Sequence, residues 1–170
     1  MNLRSILLSG AALTMIAGLT FAQGNTSQQP AKATAPTFSI LIKADQDTVK
    51  IGSPVGITVV KKNESNHEIN NSKAHSVEPL YQIAVTDNLG SPRPESAELL
   101  KSREASPMGR AWFSMFFGSL KPGGSDTDGM DVSRYRDLSQ PGKYTIRVSQ
   151  FDAESNTTIQ SNAVTVTVTP

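Results

Sequence analysis

Asp126-Thr127-Asp128-Gly129-Met130-Asp131 is the dense carboxylate cluster of this sequence. Hard oxygen ligands alternating on a glycine-containing loop suit calcium, and Asp126, Asp128 and Asp131 lie close enough in sequence to converge on one ion. The helix-loop-helix calcium motif also needs a distal bidentate glutamate and flanking helices, and neither follows here. The competing reading makes Asp126 and Asp128 solvated residues at a strand entrance, with Met130 and Val132 pointing inward. His67 and His75, with Glu64, Glu68 or Glu78, offer the residue types for zinc, but they sit in a polar connection that does not preorganise ligands.

Catalytic chemistry finds less support. The serines lie in no Gly-x-Ser-x-Gly elbow, neither histidine has a strand-turn-helix nucleophile beside it, and without cysteine the thiol route is closed. Gly123-Gly124 lacks the lysine and Ser/Thr that continue a phosphate loop. No catalytic residue and no cofactor is expected.

The segment from Ser106 to Gly118 concentrates apolar bulk: Trp112, the single tryptophan, with Phe113, Met115, Phe116 and Phe117, flanked by Arg110. Apolar residues fall on both strand faces, so alternation fails. A strand buried on both faces explains that. An exposed aromatic and methionine patch, the mark of a partner site, explains it as well.

These residues must be positioned by strands. Phe38, Ile40 and Ile42 alternate with Ser39 and Lys43. Val55, Ile57 and Val59 alternate until Lys61-Lys62 returns the chain to water, after Gly52-Ser53-Pro54 has turned it. Tyr81, Ile83 and Val85 alternate and end on Asp87-Asn88-Leu89-Gly90. Tyr144, Ile146 and Val148 alternate, Asp152 to Asn156 supplies a hairpin connection, and Val164, Val166 and Val168 close the chain. Period two of this kind predicts antiparallel sheet with one dry face. The connection Asn63 to Pro79 reads as loop, and Glu95 to Glu104 as an edge strand or a single helical turn. Short strands without a helical layer predict an all-β sandwich of about seven or eight strands.

Leu138-Ser139-Gln140-Pro141-Gly142-Lys143-Tyr144 sharpens this. A tyrosine opening the penultimate strand after a Pro-Gly turn occupies the place of a tyrosine corner, with Gly142 and Leu138 around it. Together with Gly52-Ser53-Pro54, Asn63 and Ser65, LKPGGS at 120–125, PGKYTIRV at 141–148 and Ser161-Asn162-Ala163-Val164, the chain from Phe38 to Pro170 resembles bacterial secreted immunoglobulin-like and fibronectin-like domains. The resemblance implies an immunoglobulin-like antiparallel β-sandwich and is nearly mute about activity. It departs from antibody domains in lacking the paired cysteines and the tryptophan of the third strand.

The first residues bear on compartment. Arg4 precedes an uncharged run from Ile6 to Leu19, and Thr20-Phe21-Ala22 supplies small residues at the exit, the grammar of a secretory signal peptide cleaved after Ala22. The run is shorter than the roughly 20 residues of a membrane span. Residues 1–22 are therefore expected to be a signal peptide, 23–37 a Pro-punctuated polar linker, and 38–170 the sandwich domain, exported to periplasm or medium with no membrane span after cleavage. Losing Arg4 balances the remaining basic residues against the 15 acidic ones, which disfavours nucleic acid. The expectation is a non-enzymatic interaction module whose partner is a protein or cell-envelope component. Rivals are a small protease inhibitor, using the loop from Gly90 to Gly109 with Pro92, Pro94 and Pro107, and a calcium-dependent carbohydrate-binding domain.

Overall fold

β-branched and aromatic side chains at every second position give the chain its strands, because they pack well on a pleated, half-buried surface. The computed structural model describes residues 35–74, 80–105 and 115–170. Among them run β1 (Phe38–Ala44), β2 (Thr48–Lys50), β3 (Gly56–Asn63), β4 (Ile69–Ala74), β5 (Gln82–Thr86), α1 (Ala97–Ala105), β6 (Met115–Leu120), β7 (Ser125–Asp131), a 3₁₀ turn (Val132–Arg134), β8 (Gly142–Asp152), β9 (Thr157–Gln160) and β10 (Val164–Thr169). The signal peptide and most of the linker expected from the sequence lie outside the described residues. Thr37, at the linker's end, is buried.

One sheet has the order β1-β3-β7 and the other β2-β10-β8-β5, with β9 also on β8. All pairs are antiparallel except β2 with β10, which run parallel. The opening strand is thus shared: β1 joins one sheet, and β2 crosses to lie beside the last strand of the other. β3 and β7 on one layer, against β5, β8 and β10 on the other, make the connectivity immunoglobulin-like. β4 and β6 form a further two-stranded sheet.

Between the layers, Ile40, Ile42, Ile57, Val59, Ile83, Val85, Ile146, Val148, Val166 and Val168 form a continuous apolar core. Each such side chain contributes about 1.5–3 kcal/mol when buried. At the entrance to β8 the Tyr144 hydroxyl donates to Gln140 O at 2.7 Å. Leu138 is buried in the same core, and the Tyr144 ring passes beside Gly142.

Two expectations are corrected. Glu95 to Glu104 is neither an edge strand nor a single turn but leads into the nine-residue helix α1. Ser96 caps it: its Oγ accepts from Leu99 N at 3.1 Å and donates to Arg134 O. Arg103 pairs with Glu95, and Glu98 with Arg134. A helix held by a cap and ion pairs carries no apolar stripe to announce it. The connection from Asn63 to Pro79 is also not all loop, since its middle is β4. β4 is held by its main-chain pairing with β6, which does not depend on apolar alternation in its run of Asn70, Asn71 and Ser72.

Candidate functional site

At one end of the sandwich the inward-facing positions turn polar on three strands at once. On β3, Ile57 and Val59 are followed on the same face by Lys61 and Asn63, both buried. On β8, Ile146 and Val148 are followed by Gln150 and Asp152. On β7 the face of Met130 carries Asp128 and Asp126, which the antiparallel register sets opposite Val59 and Lys61. Tyr81, just before β5, is buried near them. Lys61 is a correction: the Lys61-Lys62 pair does not return the chain to water together. Lys61 shares the parity of Ile57 and Val59 and is only 6% exposed, while Lys62 is exposed.

Each polar group here answers to its surroundings. Lys61 Nζ lies 4.2 Å from the centroid of the Phe38 ring, a favourable cation–π placement. Burial lowers its pKa, and the fields of Asp152, Asp126 and Asp128 oppose that without reversing it. For Tyr81, burial first and then Asp128 and Asp126 push the phenol well above its usual range, so it stays neutral. Burial would raise the Asp152 carboxyl, but its hydrogen bonds outweigh burial and hold it below the usual aspartate range. Thr37 N donates to Oδ2 at 2.8 Å, Ser155 Oγ to Oδ2 at 2.7 Å, and Glu154 N to Oδ1 at 3.1 Å. Asp126 Oδ2 accepts from Asn71 Nδ2 of β4 at 2.7 Å. Asn63, fully buried, uses its whole amide: Nδ2 donates to His67 O and Leu120 O, and Oδ1 accepts from Ser65.

A cavity of about 270 Å³ opens at this end, with Phe38, Lys61, Ile69, Leu80, Gln150 and Phe151 in its walls. The β8–β9 turn, from Asp152 to Glu154, forms part of its lining. There Glu154 Oε2 meets His67 Nε2 at 2.8 Å, tying that turn to the β3–β4 connection. Gln150 Oε1 is buried and has no hydrogen-bond partner among the described residues. Such an orphan acceptor costs roughly 1–3 kcal/mol. A second cavity, of about 310 Å³, has Ser53, Ser96, Glu98, Ser133, Asp137 and Leu138 in its walls. There Ser96, Glu98, Ser133 and Asp137 are committed to Leu99, Arg134, Asp131 and Arg93 respectively. The first cavity is the one that borders a buried acceptor without a partner among the described residues.

The structure places the three aspartates of the calcium expectation on two strand faces. Asp126 and Asp128 share a strand face, but Asp131 lies on the other because strand side chains alternate. Asp131 Oδ1 accepts from Val55 N, Ser133 N and Ser133 Oγ, capping the 3₁₀ turn. No group of three or more His, Asp or Glu able to hold a metal occurs among the described residues. For zinc, Glu64 is bonded to Ser39 and Lys62, Glu68 to Ser119, and His67 to Glu154. His75 and Glu78 lie outside the described residues.

Of the apolar segment, Met115, Phe116 and Phe117 lie on β6, in register with Ala74, Lys73 and Ser72. Arg110, Trp112 and Phe113 lie outside the described residues. Of the loop offered for an inhibitor, residues 90–105 are described, and around Arg93 and Pro94 they lie against the fold. Arg93 N donates to Val85 O, Asp137 N to Pro94 O, and the chain then enters α1. Sequence reasoning passed over Lys61, Gln150, Asp152 and Tyr81. Counting parity onward from Val59 on β3 and Val148 on β8 is the signal that finds the first three.

No family model matches this chain, and neither does any curated protein. Solved structures similar to it include the β-glucosidase EmGH1 of Erythrobacter marinus, at 12% identity and a TM-score of 0.43 over 79% of this chain and 16% of that one. The CARDB domain of PF1109 from Pyrococcus furiosus is similar at 16% identity and a TM-score of 0.38, over 78% of this chain and 94% of that one. The alkylpurine DNA glycosylase AlkC of Pseudomonas fluorescens is similar at 9% identity and a TM-score of 0.41, over 79% of this chain and 31% of that one. The chain spans a small part of the two enzymes. Likenesses this distant assign neither an activity nor a ligand. Among the described residues no helix is long and apolar enough to cross a membrane.

Proposed function

We propose that this protein is an exported, non-enzymatic interaction module. It engages a protein or cell-envelope component through the sandwich end where the inter-sheet layer turns polar. One observation carries the reading: Lys61 and Gln150 occupy inward positions that valine fills one repeat earlier, and the structure leaves the Gln150 oxygen unpartnered among the described residues. Stability alone favours apolar side chains there, and retained polar groups that cost stability mark functional surfaces. The loops at a sandwich end vary without disturbing the core, which suits them to recognition.

The reading as a non-enzyme is supported by the surroundings of His67. Its imidazole faces Glu154 and Asn66, and the Ser65 hydroxyl is shared between Asn63 Oδ1 and the His67 carbonyl rather than offered to the ring, so His67 activates no serine among the described residues. Export is supported by the charged, apolar and small-residue order of residues 1–22.

Site-specific photo-crosslinking in the living cell tests the proposal. A crosslinker at Phe151 is expected to capture an envelope partner, and one at Ser53, at the other cavity, to capture none. Capture from Ser53 alone, or retention of the protein in the cytoplasm, would overturn it.

A further inference from the structure

We propose that the outer face of the β2-β10-β8-β5 sheet docks a linear anionic polysaccharide, its anionic groups on Lys50, Lys143 and Arg147 and its hydroxyls on the threonines between them. This face is separate from the polar end of the sandwich, so either surface can bind without the other.

Alternation brings these residues together. Tyr144, Ile146 and Val148 point into the core, so Lys143, Thr145 and Arg147 point out. Register sets Thr167 beside Lys143 and Thr165 beside Thr145 on β10, and Lys50 of β2 beside Thr169. Lys50, Lys143 and Arg147 are all exposed. No aspartate or glutamate holds an outward strand position of this sheet, β9 included, although the chain nearly balances its charges, 16 basic against 15 acidic. The outer face of the other sheet is built differently: Glu64 takes Ser39 and Lys62, and Asp45 takes Thr58. Arg93, Arg103 and Arg134 pair with carboxylates, and Arg136 donates to Ile83 O. Lys50, Lys143 and Arg147 make no ion pair among the described residues.

Charge and spacing choose the occupant. Cations without neighbouring anions attract an anionic partner, and the guanidinium of Arg147 has the fork that grips a carboxylate or phosphate. Lys143 and Arg147 stand four residues apart on β8, about 13 Å, and Lys50 lies two strands from Lys143, about 10 Å across the sheet. Nucleic acid carries a charge about every 1.7 Å of duplex, far denser than these cations. A lipid surface is held by apolar side chains set among the cations. Here Thr145, Thr165 and Thr167 fill those places, and the large apolar side chain, Phe151, stands at the far end of β8. A polysaccharide whose anionic groups are separated by neutral hydroxyls meets both kinds of residue, because threonine and sugar hydroxyls each donate and accept. An open sheet surface, unlike a cavity, takes such a polymer along its length.

The test measures binding of the exported, processed protein to immobilised hyaluronan, polygalacturonate and neutral dextran. At least one of the anionic polymers is expected to bind and dextran not to, with binding weakened as salt rises from about 0.05 to 0.5 M. Lys50→Gln, Lys143→Gln and Arg147→Gln together are expected to weaken it about 10-fold. Lys43→Gln, Lys101→Gln and Lys121→Gln remove the same net charge off this face and should change it less than about 2-fold. Every one of these positions is exposed, so both variants are expected to keep the parent's thermal midpoint. The inference is overturned if neither anionic polymer binds, if dextran binds as tightly, or if the two sets of substitutions weaken binding equally. Tighter binding to vesicles of phosphatidylglycerol and phosphatidylcholine than to both anionic polymers would overturn it too, and would assign the face to a membrane.

Discussion

Asn162 replaces a strand for Ile42: its Oδ1 accepts from Ile42 N at 2.7 Å and its Nδ2 donates to Ile42 O at 2.9 Å. Ile42 lies on β1, at the edge of one sheet, and Asn162 lies in the β9–β10 connection of the other. A single side chain thereby satisfies one main-chain pair of an edge that would otherwise leave it unpaired. Asn162→Ala removes both bonds and is expected to lower stability by about 1–2 kcal/mol, read as a lower denaturation midpoint. Asn162→Asp keeps the acceptor, sets a carboxylate against Ile42 O, and should lose at least as much.

Tyr144→Phe keeps the buried ring and removes the hydrogen bond to Gln140 O. The expected loss is about 1 kcal/mol with an unchanged denaturant slope, since the surface exposed on unfolding does not alter. A changed slope would mean that the crossover between the sheets had loosened.

Ser96→Ala should fray α1, because Ser96 Oγ is the acceptor for Leu99 N and also the donor to Arg134 O. A loss of about 1 kcal/mol, with faster amide exchange confined to Leu99 and Leu100, is the expected signature.

What the sequence showed and hid follows from where side chains meet water. Val164, Val166 and Val168, or Ile57 and Val59, alternate because one face of each strand is dry, and those strands were legible. Ile69-Asn70-Asn71-Ser72 was not, because among the described residues β4 pairs only with β6 and, of these four, only Ile69 is buried. α1 was not, because its hold on the fold is Ser96 and two ion pairs rather than an apolar stripe. The candidate site was obscured by residue type: a lysine after two valines reads as a return to solvent, although its position on the pleat points inward. The aspartate cluster misled in the opposite way, since closeness in sequence hid that Asp131 faces away from Asp126 and Asp128.

Calcium provides a direct check of that geometry. With Asp131 committed to Val55 N and Ser133, the thermal midpoint should be the same in excess calcium and in chelator. A rise in calcium would require Asp131 to leave the 3₁₀ turn.

Acid should unfold the protein partly through Asp152. Its native carboxyl is held below the ordinary aspartate value of about 3.9, so its contribution is complete above that value. The contribution is lost as pH falls through the lower native value. Asp152→Asn gives up part of the hydrogen bonding at every pH and should flatten this acid limb. Denaturant titrations from neutral pH down to about 2.5 compare the two slopes.

Lys61 separates a functional from a structural origin of the polar end. Burial lowers its pKa despite the fields of Asp152, Asp126 and Asp128, so desolvation outweighs attraction and the charged form costs stability. Lys61→Met gives up the cation–π contact with Phe38 but removes the larger desolvation cost, and should raise stability at neutral pH by about 1 kcal/mol. Between the lowered native value and the ordinary lysine value near 10.4, the unfolded chain holds the Lys61 proton more tightly. Stability therefore gains with rising pH in that window, and Lys61→Met should lack this gain. A Lys61→Met protein less stable than the parent would make the lysine a structural partner of the carboxylates, and this end of the sandwich would lose its strongest claim to be a binding site.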